Sequence, residues 1–404
     1  MELDFTPEQQ TFRDELRDYF GRMMTEELVE ELAGGGEGGG PEFRTAMRQM
    51  GQDGLLGVGW PTEHGGQGRT PIEQFIFADE IQTAGFPLPF LTLNTVGPTL
   101  RQFGTAEQKQ EFLPQVLAGE LFFAIGYSEP AAGTDLASLQ TTAVRDGSDW
   151  IINGQKMWTS LAGYSDYIWL AARTDPEKKK HRGLSMFLVP TTAPGYSRQE
   201  IRTVGGMTTN ATFYDNVRVP ADALIGGENN GWALITGQLN HERISLMSIG
   251  PLRRNLHAIT QWAKATSIDG APVIEKSWVR ENLARIYSKV QILRLMNWKQ
   301  AWAAQAGQPN PADASAMKVF GSELNMEAYR LMMEITNARA GLSAESPGAV
   351  LQGKIESAYR SGLILTFGGG TNVANTRLPV RIANARRSTG PEDRRHQEAG
   401  GPNL

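Results

Sequence analysis

Residues 150–160 read Trp-Ile-Ile-Asn-Gly-Gln-Lys-Met-Trp-Thr-Ser, a short apolar run followed directly by Asn153-Gly154. An Asn-Gly pair after such a run is typical of a tight β-hairpin turn. Short β-branched and aromatic runs recur on both sides of this stretch, which predicts a small antiparallel sheet or barrel in the middle of the chain. The predicted strands are Phe122–Tyr127, Thr141–Arg145, Trp150–Ile152, Tyr167–Ala172, Leu184–Val189 and Thr212–Val219.

Helical patterns flank this β region on both sides. Thr6, Pro7 and Gln9 combine an N-cap, a first-turn proline and a capping box, which predicts a helix that runs to about Ala33. The glycine-rich residues 34–40 after it predict a mobile loop. Further helices are predicted at Phe43–Met50, Pro71–Ala84 and Glu107–Ala118 before the strands, and at Trp232–Ala265 (kinked at Pro251), Ser277–Gln305, Ala312–Ala340 and Val350–Thr366 after them.

The order of these elements predicts the fold class. Helices, then strands, then long helices indicate an α+β, mainly helical protein, and the missing βαβ alternation argues against a doubly wound nucleotide fold. We expect an N-terminal helical domain over 1–120, a central antiparallel β domain over 121–228 and a C-terminal helical domain over 229–386. The Arg-, Glu-, Gly- and Pro-rich tail, 387–404, is predicted to be disordered.

Composition excludes several function classes. The chain has no cysteine, so disulfides, thiolate nucleophiles and cysteine-ligated metal centres are absent, and its five scattered histidines predict no metal site. A net charge of −5 gives no overall attraction for nucleic acid or an anionic membrane. No run reaches the roughly 18 apolar residues of a membrane span, and the first residues lack the features of a signal peptide, so we expect a cytoplasmic protein.

An acid interrupts an otherwise apolar helical stripe. Ile235, Leu239, Glu242, Leu246 and Ile249 follow each other at steps of four and three residues, the spacing of a core-facing helix. Loss of hydration on an apolar face raises the pKa of a carboxyl group towards the range of a usable general base. The alternative is a structural acid paired with the arginine that follows it. The sequence pattern alone leaves both open.

Two longer motifs resemble the acyl-CoA dehydrogenase family. Residues 127–135 read Tyr-Ser-Glu-Pro-Ala-Ala-Gly-Thr-Asp, and residues 153–160 read Asn-Gly-Gln-Lys-Met-Trp-Thr-Ser. Gly59-Trp60-Pro61 with residues 65–68, and Val217–Pro220, fit the same family, so that the resemblance extends from Thr6 to about Ala385. It implies a helical domain, a β domain and a C-terminal four-helix bundle, with FAD between the β domain and the bundle.

The resemblance also implies which residues contact the cofactor. Tyr127 and Ser128 would bind the pyrimidine side of the isoalloxazine, Trp158 would pack on the flavin, and the Thr159–Ser160 segment would reach N5, the atom that accepts hydride. Donors at these places are chemically sensible because they stabilise the negative charge of a reduced flavin. Gly370 and Thr371 are assigned to the cofactor in the same way.

The substrate side departs from the usual family pattern. Thr134 resembles the residue that contacts CoA, and Arg243 the arginine beside the thioester. Most members carry a catalytic glutamate in a Tyr-Glu-Gly-Thr context near the C-terminus, whereas Gly369 occupies that place here. A minority of members place the base directly before the arginine, and Glu242 matches that alternative. The Gly369 N–H could still polarise a thioester oxygen, and the glycines around it leave volume for a branched or bulky acyl group.

Two further departures concern assembly. Family members lend the neighbouring subunit's FAD an arginine from an Arg-x-x-Phe-Gly segment and contacts from a Gln-x-x-Gly-Gly turn. This chain has Thr266 and Asp269 at the first, and Glu334, Asn337 and Ala338 at the second. A homo-oligomer would therefore bind flavin poorly. We expect an obligate hetero-oligomer in which a related subunit supplies the arginine.

This combination is similar to the α-type subunits of α2β2 acyl-CoA dehydrogenases acting on steroid side-chain CoA esters. It implies oxidation of a sterol-derived acyl-CoA to the trans-2-enoyl-CoA, with electrons passing to an electron-transfer flavoprotein. Val373-Ala374-Asn375 departs from the Glu-Ile-Gln usual at that place, which puts the contacts to the FAD adenine end in doubt. Two alternatives remain: an oxidase of the same fold, and a non-catalytic subunit of a dehydrogenase complex.

Overall fold

A computed structural model describes residues 4–34, 38–245 and 247–376. For residues 239–245 it describes the backbone and not the side chains. The predicted disordered tail, 387–404, lies outside the described residues, as do Gly35, Gly36 and Glu37 of the predicted mobile loop. Within the described residues no helix is both long and apolar enough to cross a bilayer.

The N-terminal part is helical, and threonine caps set where its helices begin. The side chains of Thr6, Thr70 and Thr105 each accept a hydrogen bond in a full capping box. The single helix predicted to run to Ala33 is wrong, because Thr25 caps a second helix after a break at Met24. The π-helical turn Leu91–Val96 was not predicted. The helices are α1 Pro7–Met23, α2 Glu26–Ala33, α3 Pro41–Gln52, α4 Pro71–Ala84, α5 Gly97–Phe103 and α6 Ala106–Leu117.

The central region is a mixed sheet rather than an antiparallel one. Its described strands are β1 Phe123–Gly126, β2 Thr142–Asp146, β3 Asp149–Lys156, β4 Tyr167–Arg173, β5 Leu184–Pro190, β6 Tyr196–Arg202, β7 Thr208–Val219 and β8 Leu224–Ile225. They are ordered β6-β7-β3-β2-β4-β5-β8, and β1 pairs with β4. Strands β1 and β2 both run parallel to β4, and the other pairings are antiparallel.

The hairpin turn predicted at Asn153-Gly154 is wrong. Strand β3 continues through both residues, and its register against β7 shifts there by a β-bulge. Gly154 has φ 144°, and a Cβ on it would lie 2.6 Å from the Thr141 hydroxyl, so glycine serves the bulge and a close strand contact. The β2–β3 turn instead falls at residues 147–148.

The C-terminal part is a bundle of helices. They are α7 Gly231–Ser245, α8 Gly250–Ala265, α9 Ser277–Gln305, α10 Pro311–Thr336 and α11 Lys354–Gly362, with a small hairpin of β9 Ser267–Ile268 and β10 Ala271–Pro272 between α8 and α9. The predicted kinked helix is two helices, because Pro251 lies in the first turn of α8 and the chain leaves the helical path before it. Ile235 and Ile249 are buried as predicted, but Ile249 precedes α8 and is not part of α7.

Buried apolar side chains join the three parts. One cluster combines the N-terminal helices with Phe123, Trp169 and the start of α7, a second fills the bundle, and a third, with Trp150 and Phe187, lies on the other side of the sheet. The predicted α+β class with helical, β and helical regions is confirmed. The boundaries after residues 120 and 228 stay predictions.

Candidate active site

The two long sequence motifs contact each other through a buried lysine. Lys156, at the end of β3, donates from Nζ to Glu129 Oε1 at 2.8 Å and to the Tyr127 carbonyl oxygen at 3.1 Å. Next to it, the Met157 N–H donates to the Ser128 carbonyl oxygen at 2.8 Å. The segment predicted to bind the flavin pyrimidine and the segment predicted to reach N5 are therefore held side by side.

The Glu129–Lys156 pair is almost sealed from water. The Lys156 side chain is 0% exposed and that of Glu129 8%. Burial lowers the pKa of Lys156 to about 8, although Glu129 opposes that shift. Burial raises the pKa of Glu129. Lys156 and the N–H groups of Gln140 and Thr141 outweigh this effect and keep the pKa of Glu129 below 4.5. Such a pair, fully hydrogen-bonded, fixes local geometry more than it adds stability.

Trp158 is an exposed platform on strained backbone. It has φ 63°, a left-handed conformation that bulky residues rarely adopt, and it is 58% exposed. The next residue, Thr159, is fully buried, and its N–H donates to the Asn210 carbonyl oxygen at 2.9 Å. Backbone strain of this kind concentrates at ligand sites. The strain turns the indole outward, as stacking on a planar cofactor requires.

Unused donors lie beside this platform. Neither the N–H nor the hydroxyl of Ser128 donates a hydrogen bond within the described part of the chain. The residue is half-buried, so both donors remain accessible to a ligand. An exposed aromatic face next to free donors fits a flat ligand with acceptor atoms on its edge. Ser128 and Trp158 therefore fit an isoalloxazine ring. The N–H and hydroxyl groups of Thr159 and Ser160 already have hydrogen-bond partners, and Thr159 is fully buried, so the predicted contact of this segment with N5 stays a prediction.

The side chain of Tyr127 connects the β domain to α7. Its hydroxyl accepts a hydrogen bond from Trp169 Nε1 at 3.0 Å and donates to Gln238 Oε1. Gln238 is 3% exposed, and its Nε2 has no acceptor within the described residues. A buried amide with one end unsatisfied is unusual and points to a ligand or water that completes it. Position 242 follows one helical turn after 238 in α7.

The predicted base and its neighbouring arginine lie on α7, but their side chains are not among those described. Glu242 and Arg243 belong to the last turns of this helix, just before the break that leads to α8. The break itself is held firmly. Ser248 donates to Asp79 Oδ1 at 2.8 Å, and Asn297 Nδ2 donates to the Met247 carbonyl oxygen at 2.8 Å. The segment that follows α7 is thus held from α4 and α9.

Burial changes the titration of the acid that anchors this break. Burial raises the pKa of Asp79, although Arg253 and Ser248 favour its charged form. Its neighbour Glu80 differs, because Arg17 and Arg13 hydrogen-bond it from α1 and keep its pKa below the usual value despite burial. The anchor therefore contains one poorly compensated acid, Asp79, beside a well-compensated one.

The glycine-rich turn after α11 carries three of the predicted site residues. Gly369 and Gly370 have φ 67° and 97°, so both use the left-handed region that favours glycine. The Gly370 carbonyl oxygen accepts from Lys318 Nζ at 2.6 Å and from Asn375 Nδ2 at 3.1 Å. The Thr371 hydroxyl accepts the N–H of Ala374 at 3.2 Å. The turn is thus tied to α10. The Gly368 N–H donates to the Ile364 carbonyl oxygen at 2.7 Å, whereas Gly369 and Gly370 are exposed.

Three predicted features lie apart from this cluster. Thr134 is exposed, and no described hydrogen bond joins it to the other candidate residues. The segment aligned with the partner-donated arginine forms the tight β9–β10 hairpin, whose turn residues Asp269 and Gly270 have φ 57° and 82°. Glu334 pairs with Arg330 at the bundle surface, beside a depression of about 480 Å³. Neither segment presents an arginine in the aligned place.

Sequence reasoning missed several residues that build the site. Glu129 and Lys156 belong to the two motifs. Lys156 lies in the same strand as the buried apolar residues Trp150 and Ile152, and this could have indicated a buried lysine that needs a partner. Gln238 and Lys318 gave no such signal, because a polar residue in a helical pattern is usually exposed. Burial of those two side chains, at 3% and 1% exposure, comes from the tertiary structure.

Comparison with known proteins identifies the class. The chain matches the family models for the acyl-CoA dehydrogenase N-terminal domain over residues 6–120, middle domain over 124–217 and C-terminal domain over 229–379. It belongs to the acyl-CoA dehydrogenase family and is an oxidoreductase of that class. The family resemblance in the sequence is thereby confirmed.

Among similar proteins are two from Mycobacterium tuberculosis. Acyl-CoA dehydrogenase FadE26 is 53% identical over 382 residues, covering 92% of this chain and 95% of the relative. Acyl-CoA dehydrogenase FadE29 is 47% identical over 374 residues, with the same coverage.

Two solved structures share the architecture. The ChsE4-ChsE5 complex from Mycobacterium tuberculosis has a chain that aligns with TM-score 0.89 and 51% identity, covering 95% of this chain and 99% of that one. The Tcur3481-Tcur3483 steroid ACAD aligns with TM-score 0.90 and 46% identity over the same shares. Both of these structural relatives are complexes of two different proteins.

Proposed function

We propose that this chain is the base-bearing subunit of an FAD-dependent acyl-CoA dehydrogenase that converts an acyl-CoA to the trans-2-enoyl-CoA. The observation that carries the proposal is the hydrogen bond from Tyr127 to Gln238. This bond connects the flavin cradle, which is formed by residues 127–129 and 156–160, to α7. The connection lies one helical turn before position 242. A base at that position would act beside the cofactor.

The proposed chemistry removes two hydrogens in an anti elimination. Glu242 takes the proton from the α-carbon, and its carboxylate becomes a carboxylic acid as the α,β double bond forms. Bound FAD supplies the acceptor for the β-hydrogen, which leaves with its electron pair. Tyr127, Ser128, Trp158 and the Thr159–Ser160 segment would hold and orient that cofactor, with Gly370 and Thr371 contributing from the bundle side.

The α-proton is acidic enough only if the thioester carbonyl is polarised. The exposed glycine turn offers the Gly369 N–H for this role, because its side chain is absent while its backbone donor remains. Arg243 and Thr134 would take the CoA side of the substrate. The same missing side chain leaves volume for a branched acyl group, which favours a steroid side-chain acyl-CoA as the substrate. The steroid ACAD among the structural relatives supports this substrate class.

We also propose that a related dehydrogenase-like subunit completes the enzyme, as an α2β2 assembly. The β9–β10 hairpin and the Glu334 region lack the residues that would serve a neighbour's FAD. Several large apolar side chains of α9 also remain exposed, which supports an interface on this helix. They are Trp278, Tyr287, Ile292, Leu295 and Trp302, each 42% to 57% exposed.

The decisive test replaces the base in the assembled enzyme. We expect Glu242→Gln to keep FAD and partner binding but to lower kcat about 100-fold or more, since a base acts only in the transition state. Turnover is followed by formation of enoyl-CoA from cholyl-CoA and octanoyl-CoA, with an electron-transfer flavoprotein as acceptor. The matched control is Glu228→Gln, an acid that pairs with Arg145 in the β domain.

The other outcomes separate the alternatives. Unchanged turnover in Glu242→Gln would establish a scaffold role for this subunit. Rapid oxygen consumption without an added acceptor would assign the activity to an oxidase. A stable, fully flavin-loaded and active enzyme from this chain expressed alone would refute the obligate partner.

A further inference from the structure

Lys318 is a buried cation directed at the glycine-rich turn. It lies on α10, is 1% exposed, and its Nζ donates to the Gly370 carbonyl oxygen at 2.6 Å and to Asn372 Oδ1 at 2.9 Å. Asn372 is held in turn by Ser322 Oγ at 3.1 Å, one helical turn along α10. One side chain of the bundle thus ties down both ends of a three-residue segment.

The turn requires such a tie. Residues 368–370 are three consecutive glycines, which have the largest backbone freedom of any residue and no side chains to pack. Two of them adopt left-handed backbone, and they are half-buried or exposed. Without an external contact, the direction of the Gly369 and Thr371 N–H groups would vary from molecule to molecule. Catalytic donors need fixed directions to within a fraction of an ångström.

The ammonium group also acts through charge. It bonds the oxygen of the peptide group that links Gly370 to Thr371, and a cation on that oxygen makes the Thr371 N–H a stronger donor. The two described contacts of Lys318 with the turn are to the amide oxygens of Gly370 and Asn372. Donation to the Gly370 carbonyl oxygen strengthens a backbone donor at the place where the proposed reaction builds up negative charge.

We propose that Lys318 is a positioning residue of the active site, which fixes the 368–372 turn so that its backbone donors meet the thioester and the cofactor. The inference rests on the proposed function. It contrasts with a purely structural role, in which Lys318 would only hold the turn after α11 to α10. A structural tie would affect stability but not the polarisation of a bound thioester.

The test compares Lys318→Met, which removes donors and charge, with Lys318→Gln, which keeps a donor and removes charge. Both are made in the complete enzyme with its partner subunit. The probe is acetoacetyl-CoA, whose enolate gives a long-wavelength band when it stacks on oxidised flavin. Its binding is also measured by calorimetry. Turnover of cholyl-CoA and octanoyl-CoA gives kcat and KM, and FAD content and thermal stability are recorded for each variant.

We expect Lys318→Met to lose most of the enolate band and to lower kcat on the order of 10- to 100-fold, with a smaller effect on KM, because the turn donors lose their direction. Lys318→Gln should fall between it and the wild type. Lys289→Met is the matched control, since Lys289 pairs with Glu327 between α9 and α10 and makes no described contact with the turn. It should keep both the band and kcat.

Two results would overturn the proposal. One is a Lys318→Gln or Lys318→Met enzyme with an unchanged band and kcat but lower thermal stability, which would leave only the structural role. The other is an equal loss of band and kcat in Lys289→Met, which would assign the effect to general loosening of the bundle. If the wild-type enzyme itself neither holds FAD nor oxidises an acyl-CoA, the proposed function has failed and this inference falls with it.

Discussion

The flavin cradle and the base side of the site are built in different ways. In the cradle, the contacts that matter join residues of neighbouring strands and loops, with Lys156 bound to Glu129 and to the Tyr127 carbonyl oxygen. On the base side, the contacts join a helix to a segment between helices, with Asp79 of α4 bound to Ser248 in the break and Lys318 of α10 bound to Gly370 in the glycine turn. The cradle is thus fixed mainly within the β domain, with one hydrogen bond from Tyr127 to α7, whereas the base side depends on how helices of two domains dock.

The difference suggests a division of labour. A sheet and a sealed ion pair give a rigid surface on which a planar cofactor can lie. A helix that ends at a break, and a turn of three glycines, can be moved by small changes in helix packing. Substrate specificity could therefore change at the end of α7 without disturbing the contacts that hold the cradle together. Variants on each side should separate flavin retention from turnover.

The largest effect is expected from breaking the buried pair of the cradle. Lys156→Met leaves the Glu129 carboxylate buried without its cation, which costs about 3–5 kcal/mol of the free energy of unfolding. FAD content should fall with it, because the two motifs separate. Chemical denaturation and the flavin absorbance of the purified protein measure both. The double variant Glu129→Gln/Lys156→Met should recover much of the stability; if it is no better than the single variant, the pair is not the cause.

The pH dependence of the free energy of unfolding tests the same Glu129–Lys156 pair independently. The pKa of Lys156 is lowered from 10.5 to about 8. Between those values the unfolded chain still holds a proton that the folded chain has released, so this group makes the free energy of unfolding rise with pH. Lys156→Met should lack that rise when both proteins are titrated from pH 8 to 10. A parallel course of the two curves would contradict the burial of a charged lysine.

A smaller effect is expected at the surface of the cradle. Trp158→Ala should weaken FAD binding by about 1–3 kcal/mol, the usual range for stacking on an aromatic side chain. Stability of the apoprotein should change little, because the indole is 58% exposed. The left-handed backbone at this position is strained for tryptophan and alanine alike. FAD dissociation is measured by fluorescence. Trp158→Phe keeps an aromatic face and serves as the control, so equal losses in both variants would rule out stacking.

Local sequence signals predicted the elements that short-range chemistry determines. The capping box at Thr6 and the helices Pro71–Ala84 and Ser277–Gln305 agree with the structure. The motif that contains Trp158 was recognisable for the same reason, since its residues are contiguous. Errors arose where tertiary contacts override local preference. Asn153-Gly154 forms a bulge because β7 pairs along the whole of β3.

The site's connections could not be read from the sequence because they join distant residues. Nothing near Gln238 indicates that its side chain accepts a hydrogen bond from the hydroxyl of Tyr127, 111 residues away. Lys318 and Gly370 are likewise 52 residues apart. The helical stripe through Glu242 was an inference from periodicity, and the break before Gly250 shows that the stripe does not continue along one helix. The catalytic role of Glu242 therefore stays a proposal that its own variant tests.

The smallest effect is expected at the break that positions the end of α7. Ser248→Ala removes a hydrogen bond to a buried carboxyl group and should cost about 1–2 kcal/mol of stability. FAD content should stay unchanged, because the cradle does not depend on this contact, whereas kcat should fall as the base helix loses its anchor. Ser288→Ala, a serine that bonds only its own helix in α9, is the control.

The pH course of that variant tests the cause. The folded chain keeps a proton on Asp79 that the unfolded chain has released, because burial raises its pKa above 3.8, so this group makes the free energy of unfolding fall as pH rises from there. Loss of the Ser248 donor raises this pKa further and extends the fall to higher pH. A constant deficit in stability across pH 4 to 7 would contradict Asp79 titration as the cause. A loss of FAD with unchanged kcat would mean that the base side and the cradle are not independent.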